Sequence, residues 1–337
     1  MRYSIFIFFI IFAILIIHLN AQFFTKPICD KNKEFYIHTG TTFNELIVDL
    51  DSLSSSLSSV SKQFYTFFLK KKRLDYWFKP GRYILEKSFS FNDVVNKLRS
   101  QSEDPVKLVF NSMDNVEPVL GIAGSYLELD SLDLINYLDS ISFPVDSLSF
   151  FLIPNTYELF WSISPEDFFN RIYWEYDKFW NDKNLRAAES IHLSKHEVFI
   201  LASIVDKEAS HFNEMPRIAG LYLNRLKKGW SLASDPTIIY IWKNKFNQSI
   251  RRVRNKHIDL TKTSLFNTYH NKGLPPKPIC VPSLQAIESV LFAEEHQYMY
   301  MCARPDGSEY HNFAVNYREH QKNAKSFHNW LNKRKIY

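Results

Sequence analysis

The chain has 337 residues, 45% of them hydrophobic and 16% aromatic, enough to bury one or two sizeable cores. Its 41 basic and 36 acidic residues leave a net charge of +5 with no long basic face or base-reading motif, which excludes nucleic acid as a partner. Three cysteines (Cys29, Cys280, Cys302) form an odd set without metal-ligand spacing, so no disulfide framework is indicated, although one pair could form outside the cytoplasm. The histidines show no ligand pattern either, and neither a metal nor a cofactor is expected.

Residues 1–22 open with an unbroken apolar run from Ile5 to Ile17, about 17 residues with its flanks, at the short limit for a spanning helix. Cleavage after Ala21 would put the large Leu19 at the −3 position, which favours an uncleaved anchor over a signal peptide. Lys26, Lys31 and Lys33 balance Arg2, so charge gives little help with orientation.

Small α/β units follow. Phe35 to His38 reads as a strand and Gly40 as a turn, with Thr42 and Glu45 as a capping box. Arg82 to Leu85, with Ser90 and Asp93, repeats that pattern, and Val106 to Phe110 reads as a closing strand. The repetition suggests two related modules, although any two capped amphipathic helices look alike. Lys70 to Arg73 reads as a solvated helix end. Residues 111–149 form a helical connector, with helices over Ser112 to Gly124 and Ser131 to Ser140. Ser164 and Pro165 start a further helix, packed through Phe168, Phe169, Ile172, Tyr173 and Tyr176.

The next helix carries the chemistry. Ser194 and Glu197 make a capping box, and Val198, Leu201, Ile204 and Val205 share one face. Glu208 falls on that apolar stripe, one turn after Ile204, while Asp206 and Lys207 point away. An acid aimed at an apolar surface resists ionising, which raises its pKa toward the range of a general acid. The competing reading is a helix-end glutamate paired with Arg217 or Arg225.

Downstream stand Ile218-Ala-Gly-Leu-Tyr-Leu-Asn-Arg-Leu226, Leu232-Ala-Ser-Asp-Pro-Thr237, Phe266-Asn-Thr-Tyr269, Gly273-Leu-Pro-Pro276 and His311-Asn-Phe313. In this order, the succession resembles the endolytic murein transglycosylases of the YceG-like (MltG) family, densely from about residue 195 to 325. The resemblance implies an α+β chain with an N-terminal membrane anchor (1–22), a LysM-like βααβ region (34–110) that contacts glycan, and a mixed α/β catalytic domain (150–337). It also implies Glu208 as the catalytic residue, with Asn224, Asp235, Thr237, Asn267, Tyr269 and His311 contacting substrate.

By the same resemblance the partner is the peptidoglycan glycan strand, beside peptidoglycan synthases or division proteins. A single-pass anchor in the cytoplasmic membrane would place the catalytic domain on its outer side. One acid suffices for lytic cleavage, because the sugar's own C6 hydroxyl replaces the second carboxylate. Two alternatives stay open: a hydrolase using Glu208 with Asp235, and a non-catalytic glycan-binding scaffold. Asp235 can also serve as a turn residue before Pro236, and His311 can satisfy backbone groups in a turn. Two departures stand out. Ala209 lacks the hydroxyl that lytic transglycosylases often carry after the acid, and Lys277 and Cys280 change the Pro-rich turn.

Overall fold

The computed structural model describes residues 2–53, 62–250 and 252–334, which form two compact units. The first comprises Met1–Leu108, Ile122–Asp133 and Tyr157–Pro165; the second comprises Val109–Gly121, Leu134–Thr156 and Glu166–Tyr337.

The first unit begins with α1 (Arg2–Asn20), on which Ile5, Phe6, Phe8, Ile11, Phe12 and Ile17 are exposed. Its 19 residues reach about 28 Å at 1.5 Å each, just short of a hydrocarbon core of about 30 Å, and Arg2, His18 and Asn20 trim its apolar part. Among the described residues, no helix is long and apolar enough to cross a membrane. The expected span is thus seen as a helix but not as a span.

Strand β1 (Lys33–Ile37) leads into α2 (Phe43–Ser52), α3 (Lys62–Lys71) and β2 (Gly81–Leu85), and β1 pairs antiparallel with β2. Both expected capping boxes form, Thr42 with Glu45 on α2 and Ser90 with Asp93 on α4 (Phe91–Arg99). Leu46, Leu50, Val94, Leu98, Tyr83 and Leu85 interlock as the core of this unit. The run at 106–110 does form β3 (Val106–Val109), but it does not close this ribbon. It pairs with β4 (Thr156–Leu159), some fifty residues downstream in sequence. Helix α5 covers Glu117–Tyr126, later than the pattern suggests, because Met113 is engaged in a β-bridge with Val281. Helix α6 (Ser131–Ser140) matches its expected bounds.

In the second unit, α7 (Pro165–Phe179) buries Phe168, Ile172 and Tyr176, while Tyr173 of the expected stripe stays exposed. Helix α8 (Asp182–Ser190) precedes α9 (Lys195–Glu208), which is capped by Ser194 and Glu197 as its sequence dictates. One apolar stripe understates α9: all eight residues from Val198 to Val205 are buried, so it is a core helix enclosed on every side. Around it pack α10 (Met215–Lys227), α11 (Asp235–Phe246) and α13 (Leu284–Leu291), with α12 (Asn255–Leu260) against α11. Gly220 on α10 permits one close approach, since a Cβ there would lie 2.3 Å from the carbonyl oxygen of Glu294. The hairpin of β5 (Tyr300–Ala303) and β6 (His311–Ala314) closes the unit, backed by α14 (Tyr317–Lys333).

Candidate active site

Burial of α9 decides where its last side chain goes. The helix ends at Glu208 because Ala209 turns extended (φ −91°, ψ 123°), so the carboxyl emerges at the helix terminus, half-buried among polar groups of three other segments. Neither arginine within sequence reach neutralises it: Arg217 is bonded to Glu294 at 3.0 Å, and Arg225 donates to the carbonyls of Leu232 and Met299. Instead, Ser234 Oγ donates to Glu208 Oε2 at 3.3 Å. Burial pushes the Glu208 carboxyl above the ordinary carboxylate range; His311 opposes that rise and Asp235 reinforces it. This is the state a general acid needs.

Tyr222 of α10 approaches the same carboxyl from inside the core. The residue is fully buried, and its hydroxyl makes no well-formed hydrogen bond, although it lies close enough to Glu208 and Ser234 to sense both. Burial drives its pKa up, so it stays a neutral donor. The hydroxyls of Ser234 and Tyr222 thus stand at the acid, whereas position 209 offers none.

His311 is placed by a residue far away in sequence. Glu214, itself only 4% exposed, accepts from the His311 backbone N–H at 2.9 Å and pairs with ring Nδ1 at 2.7 Å. Burial alone would raise Glu214, but these bonds to His311 outweigh it and hold the carboxyl below its usual range. With Glu214 ionised, ring Nδ1 carries the hydrogen of this bond. His211, stacked on Tyr310 at 3.9 Å and bonded to the Ser308 carbonyl, ties the Glu214 segment to the hairpin turn.

Asp235 opens α11 and is exposed at the site, where the Tyr269 hydroxyl donates to its Oδ1 at 2.5 Å. The remaining expected residues sit behind this layer. Asn267 is buried, its amide spanning Ile258, Thr261, Tyr269 and His270. Thr237 donates to the Ser234 carbonyl and pairs with Thr268. Asn224 donates to the carbonyls of His296 and Tyr298. The Asn224 Nδ2 group, the Thr237 hydroxyl and the Asn267 amide are thus engaged within the protein. Glu208, Asp235, Tyr269 and His311 are the expected residues that the fold brings together. On the opposite face of α9, Ser203 accepts from the Ile279 N–H at 3.0 Å, and Asp206 accepts from Ser112 and Ser283, docking the Pro-rich turn.

A model of the YceG-like family matches residues 35–326, most of the chain. The chain belongs to the YceG-like family. All the site residues named above lie inside that match. The chain is 26% identical over 334 residues to the endolytic murein transglycosylase of Streptococcus pneumoniae serotype 2, covering 88% of this chain and 59% of that protein. It thus spans less than two thirds of that relative's length. The endolytic murein transglycosylase of Bacillus subtilis is 32% identical over 130 residues, 39% of this chain and 34% of that protein. A YceG-like protein from Listeria monocytogenes, known from its crystal structure, shares the fold with a TM-score of 0.51 at 21% identity. That match covers 87% of this chain and 99% of that one.

Three residues of this YceG-like site carry no sequence signal that reveals them. Glu214 lies in an irregular segment 97 positions from its histidine, Tyr222 reads as an ordinary core aromatic, and Ser234 reads as a turn residue. Only the fold gathers them.

Proposed function

We propose that this chain cuts the glycan strands of murein by lytic transglycosylation, with Glu208 acting first as acid and then as base. The observation that carries the reading is a carboxyl at the end of a core helix, pushed up by burial, paired with no cation among the described residues, and faced by His311 and Asp235. Protonated, Glu208 donates to the glycosidic oxygen between MurNAc and GlcNAc. The C6 hydroxyl of the same MurNAc attacks its anomeric carbon and returns a proton to Glu208. A 1,6-anhydro ring results and no water is consumed. The attacking hydroxyl is already tethered, so proximity stands in for a second carboxylate. The similarity to the pneumococcal and Bacillus endolytic murein transglycosylases supports the same reading.

Asp235 supports a second reading, because it faces Glu208 and is held by Tyr269 where a base for water would sit. Mass spectrometry of digested strands separates the two. Anhydro-MurNAc ends are expected; reducing ends would indicate hydrolysis, and intact strands a binding scaffold. Glu208→Gln should abolish cutting.

Within this reading, the apolar α1 holds the chain at the outer side of the cytoplasmic membrane, and the β1-α2-α3-β2 arrangement serves as the LysM-like contact to glycan. Its place of action is beside a polymerising synthase, where cutting terminates growing strands.

A further inference from the structure

In the same unit as the acid site lies an open cavity of about 400 Å³. Its charged lining is Asp114, Glu117, Asp146, Lys207, Lys243 and Lys277, interspersed with apolar side chains such as Ile239 and Ile279. Lys207 immediately precedes Glu208 on α9, and Pro236, also in the lining, immediately follows Asp235 on α11. The cavity therefore lies against the same two helices as the acid site, on the side where the Pro-rich turn docks. Asp114 takes Lys207 at 2.8 Å and also Lys243, and these two hydrogen bonds hold its carboxyl at about 2. Lys277 pairs with Asp146.

We propose that this cavity binds the peptide stem of the strand, its lysines taking stem carboxylates and its acids the stem amine. The inference rests on the murein reading above. Three lysines against three carboxylates give no net charge, which suits neither a simple anion nor a simple cation. A neutral sugar backbone gives such a lining nothing to pair with; a peptide carrying charges of both signs does. The side chains of Asp114, Lys243 and Asp146 are more than half exposed. Exposed ion pairs of this kind are weak, so ligand charges can replace them at little cost. The apolar members would cover the small side chains of the stem. Lys277, a departure from the usual wording of the Pro-rich turn, thereby acquires a role.

The test titrates a synthetic stem peptide, ending in D-alanyl-D-alanine and carrying one free amine, into the whole chain bearing Glu208→Gln. Saturable, salt-sensitive binding is expected, weakened about tenfold or more by adding Lys243→Glu and Lys277→Glu. Lys243→Arg with Lys277→Arg should restore it. Equal affinity in all backgrounds, or no binding in any, overturns the proposal. In parallel, the unmodified protein is given strands with stems and strands stripped of them. A preference for stems that the Lys243→Glu, Lys277→Glu pair removes supports the proposal, and one that the pair leaves intact refutes it. If neither strand is cut, the cleavage reading fails while the titration still judges the cavity.

Discussion

Glu214 grips His311 twice, by the ring at 2.7 Å and by the backbone N–H at 2.9 Å, across 97 positions of sequence. The histidine that faces Glu208 is thus oriented by a buried anion. Replacing Glu214 with alanine would strand a ring N–H and a backbone N–H in a nearly closed space. Glu214→Ala should cost about 2–4 kcal/mol in denaturant unfolding and reduce cleavage well beyond that of the shape-conserving Glu214→Gln. Equal stability and activity in both variants would show that the grip is incidental.

Glu208 makes a stability statement of opposite sign to that of a surface acid. Its folded pKa lies above the ordinary 4.5, so its contribution to stability is fully present below that value and is lost as pH rises through the folded pKa. Glu208→Gln should therefore be more stable than the unmodified protein at neutral and alkaline pH, with the gap closing below about pH 4.5. Thermal unfolding across pH checks this. A variant that is less stable at every pH would mean that Glu208 is a structural residue.

Two neighbours should move the pH–rate profile in opposite directions. The Tyr222 hydroxyl favours the ionised carboxylate, so Tyr222→Phe should raise the Glu208 pKa and carry the alkaline limb of cleavage to higher pH. The ring keeps its packing, so the fold should survive. Asp235 disfavours ionisation of Glu208, and Asp235→Asn should carry the same limb to lower pH. Under lytic cleavage, the Asp235→Asn protein still leaves anhydro ends. Limbs that stay put in both variants would separate these residues from the acid.

The contact of Gly220 with the 294–296 loop gives a purely mechanical expectation. An added methyl would meet the Glu294 carbonyl oxygen at 2.3 Å and the His296 ring at 2.8 Å, both fixed by further hydrogen bonds. Gly220→Ala should cost about 1–3 kcal/mol, read as a lower midpoint in urea. An unchanged midpoint would mean that the loop is free to move away.

How much of this could be read from the sequence follows from the range of the interactions involved. The capping boxes at Thr42, Ser90 and Ser194 are three-residue patterns, and each forms where the residues dictate. Glu208 was legible because helical periodicity fixes which way a side chain points. The strand at 106–110 was legible as a strand, but its partner was not, because pairing with β4 depends on the fold and leaves no local mark. The same limit hid Glu214 and Tyr222. Nor does a local pattern show that the Asn224 Nδ2 group, the Thr237 hydroxyl and the Asn267 amide, all expected at the sugar, bond to groups of the protein itself.

The most direct check is a carbon-detected NMR titration of the Glu208 side-chain carboxyl in the folded protein. Its midpoint should lie clearly above 4.5 and fall when Asp235 is replaced by asparagine. A midpoint at or below 4.5, indifferent to Asp235, would leave the site without a proton donor and contradict the mechanism.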